Sequence, residues 1–95
     1  MDLNKSLRLA IDTGKVSVGA NQSGKAITSG SARLVIISSN CPDETVAAAK
    51  KGETPVYSFK GNNSVLGAAC GKPFPVSIIA ILDGGKSDIL SLKAN

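Results

Sequence analysis

Histidine and tryptophan are absent from this chain of 95 residues, and its aromatic residues are only Tyr57, Phe59 and Phe74. Without histidine there is no imidazole general base and no histidine metal ligand. So few aromatics leave no stacking platform of the kind that binds single-stranded RNA. Cys41 and Cys70 are the only soft ligands, too few for a structural zinc site, so no metal or other cofactor is expected. Long apolar runs are missing too. The longest aliphatic stretch, Ile78-Ile79-Ala80-Ile81-Leu82, is far short of the ~20 residues that span a bilayer. Asp2, Lys5 and Arg8 interrupt the start where a signal peptide would need an apolar segment. The expectation is a soluble cytoplasmic protein with free thiols, no membrane partner and a monomeric state when free.

What is present bounds the size and partner. The length suits one domain, residues 1–95, which buries about 60–65% of the surface its unfolded chain exposes. Eleven Lys and Arg against seven Asp and Glu give a net charge of +4, a mild bias toward a polyanionic partner.

Leu3, Leu7, Ala10 and Ile11 share one helical face, with Asp2 as N-cap and Gly14 as stop, which predicts a helix over about 3–13. Val16 and Val18 alternate with Lys15 and Ser17 in a short strand running into Gly19. Asn21 suits the N-cap of a second helix that ends at Gly30, and Gly24 inside it costs about 1 kcal/mol relative to alanine. Leu34-Val35-Ile36-Ile37 is continuously apolar, as expected for a central strand covered on both faces. Pro42 opens a third helix carrying Val46 and Ala49 until Gly52. Residues 55–59 read as a strand, then Val65, Leu66 and Ala69 face inward on a short helix ended by Gly71. A fourth strand covers 76–82, Asp83-Gly84-Gly85 turns, and a short element of open type lies at 87–92.

Alternating strands and helices predict an α/β fold with helices on both faces of a sheet, whose ligands sit outside the carboxyl ends of parallel strands. The loops at 19–21 and 38–42 leave such ends. An antiparallel fourth strand would bring the loop at 71–75 to the same edge.

The heptad Gly19-Ala20-Asn21-Gln22-Ser23-Gly24-Lys25 then admits two readings. Gly19, Gly24 and Lys25 match G-x-x-x-x-G-K-[ST], but Ala26 has no hydroxyl for Mg²⁺; residues 76–83, an apolar strand ending in Asp83, complete a possible P-loop enzyme. Alternatively, Asn21, Gln22 and Lys25 offer amides and an ammonium from a helix start to RNA base edges and phosphates. Base edges are hidden in a regular A-form duplex, so that reading requires a bent or looped RNA, and lysine suits the O6 and N7 acceptors of guanine. Phe74, pinned between two prolines, is either core or an apolar plug against a distorted RNA, with Lys72 near a phosphate.

GANQSGKAITSG at 19–30, LVIISSNCP at 34–42 and GNNSVLGAACGKPFPVSIIAILDGGKSDIL at 61–90 resemble the kink-turn-binding ribosomal protein superfamily through nearly the whole chain. The resemblance implies a three-layer α/β/α sandwich with a four-stranded mixed sheet and no enzymatic activity. It implies a component of the large ribosomal subunit that binds a bent ribosomal RNA internal loop with tandem sheared G·A pairs, among other large-subunit components. The superfamily's RNA-reading motif falls on Gly19, Asn21, Gln22 and Lys25, and its second RNA-contacting loop on Gly71, Lys72 and Phe74. Relatives in RNA-guided modification ribonucleoproteins, the alternative within the superfamily, usually carry glutamate where Gln22 stands.

Overall fold

The computed structural model describes residues 3–50 and 54–91, and of Ala20, Asn21 and Ala48 the backbone only. Helix α1 (Leu3–Thr13) buries Leu7 and Ala10 along its inner stripe. It passes through Gly14 into strand β1 (Lys15–Val18), where a side chain at Gly14 would collide with the Asp83 carbonyl oxygen. Then follow α2 (Ala20–Thr28), β2 (Leu34–Ile37), α3 (Asp43–Lys50), β3 (Val56–Ser58), α4 (Asn63–Ala69), β4 (Ile78–Asp83) and a 3-10 turn, Ile89–Ser91. Both α2 and α4 end as the glycine pattern predicts. Gly30 and Gly71 adopt φ 74°, and Ser31 and Lys72 N–H donate back to the Ala26 and Gly67 carbonyls at 3.0 and 2.9 Å. Left-handed glycine there satisfies carbonyls that the helix end would otherwise strand.

The four strands form one mixed sheet in the order β1-β4-β2-β3. β4 is antiparallel to both neighbours and β2 pairs parallel with β3, so β1, β2 and β3 run one way and β4 the other. Leu34, Ile36, Ile79 and Ile81 pack with Leu7, Ala10, Leu66 and Ala69 on the face covered by α1 and α4. Val35, Ile37, Ile78 and Ala80 pack with Ala26 and Ala49 on the face covered by α2 and α3. The result is the expected three-layer α/β/α sandwich. β2 is buried at every position, as its unbroken apolar run requires, and each large side chain so buried contributes about 1.5–3 kcal/mol.

Several local expectations are corrected. The N-cap of α2 is Gly19, not Asn21, because the glycine's backbone turns the chain directly into the helix. Val65 is 49% exposed: α4 has only seven residues, and its inner stripe is Leu66, Gly67 and Ala69. Pro42 stands just before α3, its carbonyl accepting from Val46 N–H at 3.0 Å. Pro55 and Phe59 flank β3, though both still join the ladder to β2 through the Pro55 carbonyl and Phe59 N–H. β4 starts later than expected, at Ile78. The predicted stop of α3 at Gly52 lies outside the described residues. No helix among those residues is long and apolar enough to cross a membrane.

Candidate nucleic-acid interface

Gly19 organises one half of the site. Its φ of 93° and ψ of 162° lie in backbone space reserved for glycine. The conformation lets its N–H reach the Ile78 carbonyl at 3.0 Å while its own carbonyl accepts from Ser23 N–H at 3.0 Å, the first bond of α2. Ser23 is fully buried and its hydroxyl donates to the Ser17 carbonyl at 3.1 Å, pinning the first turn to β1. With Ser23 and Ala26 turned inward, Gln22 and Lys25, three residues apart, both stand exposed on the outer face. The Asn21 backbone lies one turn before Lys25 in the same helix; its side chain is outside the described part.

The other half is the loop from α4 to β4. Gly71 closes α4, Lys72 is half-buried, and Phe74 stands between Pro73 and Pro75 with 52% of its surface exposed, so it is not a core residue. Proline on both sides fixes the backbone that displays it. The loop lies tight against α4 because position 67 is glycine, where any side chain would collide with the Phe74 carbonyl oxygen. Ser64, Ala68, Lys72, Pro73, Phe74 and Pro75 bound a shallow groove of about 290 Å³. Burial pushes the thiol of Cys70, at the end of α4, up to about 11, partly countered by the Lys72 ammonium. Both cysteines are free, as expected.

The two halves share one edge of the sheet. Val18 pairs with Ile79 and Ile37 with Ile78, so the start of β4 lies beside the carboxyl ends of β1 and β2. Three loops are stitched together there. Ser38 N–H donates to the Ser77 carbonyl at 2.9 Å and Ser39 N–H to the Gly61 carbonyl at 2.8 Å. Asn40 Oδ1 accepts from the Ser38 hydroxyl at 3.0 Å and from Asn63 N–H at 2.8 Å, and the Asn63 carbonyl accepts from Val76 N–H at 3.0 Å. Asn62 caps α4, its side chain accepting from Val65 N–H at 3.0 Å. Sequence reasoning passed over this framework. Its signal was the asparagines in the two loops, since Asn side chains bond nearby backbone readily.

The same geometry removes the nucleotide-hydrolase reading. A phosphate cradle needs a loop between strand and lysine, whereas residues 20–28 are helical directly after Gly19. Asp83, the imagined Mg²⁺ ligand, pairs with Lys15 at the opposite edge and accepts from Gly85 N–H at 2.9 Å. The edge as built offers cations, an amide, backbone turns and an exposed aromatic.

Comparison with known proteins agrees. The model of the ribosomal protein L7Ae/L30e/S12e/Gadd45 family matches residues 1–91. Large ribosomal subunit protein eL30 of Methanoregula boonei is 48% identical over 94 residues, covering 98% of this chain and 97% of its own. The protein of the same name from Methanospirillum hungatei is 48% identical over 93 residues, covering 97% and 98%. That of Methanosarcina mazei is 43% identical over 94 residues, covering 99% and 91%. With fold, loop framework and likeness running through almost every residue, the chain belongs to the ribosomal protein L7Ae/L30e/S12e/Gadd45 family.

Proposed function

We propose that this protein binds a kink-turn in ribosomal RNA, an internal loop with tandem sheared G·A pairs, and stabilises its bend within the large ribosomal subunit. Its role is structural and ribosomal, not enzymatic, in keeping with the eL30 proteins that it resembles. The observation that carries the finer reading is the approach of the Gly19 helix start and the Phe74 loop to one sheet edge, where Gly19 N–H bonds the carbonyl of Ile78, the residue at which that loop enters β4. Gln22 and Lys25, with Asn21 in the same turn, meet base edges that only a widened, bent duplex exposes. Phe74 packs on the distorted strand, and Lys72 neutralises phosphate.

The test is a titration with a short kink-turn RNA against a control whose sheared G·A pairs are replaced by Watson–Crick pairs, at near-physiological salt. Tight binding to the bent RNA alone is expected, and Asn21→Ala should weaken it by about 1–3 kcal/mol and relax discrimination at one base pair. Equal, weak binding to both RNAs would reduce the interaction to the +4 charge.

A further inference from the structure

Arg8 lies on α1, outside both loops of the proposed site, yet its guanidinium rests against the loop that carries Phe74. A methyl group built on Gly71 would sit 3.1 Å from Arg8 Nη2, 3.3 Å from Nε and 3.4 Å from Cζ. The planar group therefore lies over the bare α-carbon of Gly71, in space that a side chain there would contest. Three observations bear on what this placement serves. Among the described residues Arg8 has no hydrogen bond or ion pair, although Asp12 stands one helical turn away. The side chain remains exposed. The next residue after Gly71 is Lys72, so two cations flank one glycine with no carboxylate among the described residues paired to Arg8 to offset them.

Like charges gathered without counter-charge repel in the free protein, and a polyanion relieves that cost on binding. A planar guanidinium loses less freedom for each hydrogen bond it makes to a phosphate than a lysine would, and it offers paired N–H donors that match two phosphate oxygens. We infer that Arg8 is a further RNA-binding residue, contacting a backbone phosphate of the same RNA that Phe74 and Lys72 engage and extending the interface from the loops onto α1. This rests on the kink-turn reading above.

Arg8→Gln removes the charged guanidinium that lies over Gly71 and keeps the start of an exposed side chain, so folding is not at stake, and a thermal melt confirms it. Affinity for the kink-turn RNA is measured at 50 and 200 mM salt for the parent, Arg8→Gln and Arg33→Ala; Arg33 is an exposed arginine before β2, at the opposite edge of the sheet. One lost phosphate contact should narrow the ratio of the two affinities by about threefold in Arg8→Gln, with Arg33→Ala unchanged. A ratio for Arg8→Gln equal to the parent's, or an equal narrowing in Arg33→Ala, overturns the assignment. Failure of the parent itself to prefer the bent RNA over its Watson–Crick control sinks the kink-turn reading, and this inference with it. A parent that prefers the bent RNA alongside an inert Arg8→Gln sinks only this one.

Discussion

Gly19 holds a conformation that L side chains rarely adopt, although the space around its α-carbon is empty. The obstacle to substitution is thus backbone strain and not crowding. Gly19→Ala is expected to cost about 1–3 kcal/mol in urea denaturation. It should also weaken RNA binding, because the same torsion aims the first turn of α2; unchanged stability would mean that the turn has another low-energy path. Residue identity alone cannot reveal such a role. In sequence, Asn21 had the better N-cap chemistry, and only the torsion at Gly19 shows why the helix starts before it. Cys70 makes a second residue-scale prediction. Burial pushes its thiol up to about 11, whereas an ordinary thiol in the unfolded chain is half-ionised near pH 9. The folded state is thus favoured by this group below pH 9, and the contribution fades as pH rises toward 11. The stability gap between the parent and Cys70→Ala should narrow across that interval in pH-dependent melts. A gap that stays constant would show the thiol ionising as freely in the folded protein as in the unfolded chain.

Among the elements, two helical glycines differ in sign. Gly24 lies in α2 with nothing within 4 Å of a built Cβ, so Gly24→Ala should stabilise the protein by about 0.5–1 kcal/mol through helix propensity and a less flexible unfolded chain. Gly67 lies in α4 against the Phe74 carbonyl, and Gly67→Ala should destabilise by more than that, with the Phe74 loop displaced. Paired denaturation curves settle both, and shifts in the same direction for the two variants would contradict the packing described. The pair also shows what was legible beforehand. Helix α1 and strand β2 were readable because their apolar spacing is long or unbroken and propensity agrees with burial. In α4 a buried glycine takes the place of an apolar residue on the inner stripe, and hydropathy patterns do not count it. Val65 was consequently assigned inward and is exposed. The residues of the candidate site, Gln22, Lys25, Lys72 and Phe74, could be singled out from side-chain chemistry alone, whereas the bonds through Asn40 and Asn63 that hold its loops together could not.

At the scale of the whole molecule, alternation of strands and helices foretold the layers, but the strand order needed the pairing itself. The segment after β4 is fastened to α1: Ser6 Oγ donates to Asp88 Oδ1 at 2.6 Å, Ser87 Oγ donates to the Ser6 carbonyl at 2.5 Å, and Ile89 is fully buried. Ile89→Ala should therefore cost about 2–5 kcal/mol and lower the midpoint of a single cooperative transition. A separate early transition would show instead that this segment melts on its own. The position of β4 carries a last consequence, one of timing. β4, one of the two inner strands, is the last of the four in chain order, and among the described residues β1 pairs with no other strand. A chain emerging from its own synthesis can form α1, α2 and the parallel pair of β2 with β3, but it cannot close the sheet. Pairing of such distant segments pays its loop entropy before any contact rewards it. The edge that Gly19 shares with Ile78 therefore comes into being only once β4 is available, so the proposed RNA site is assembled later than the strands on either side of it.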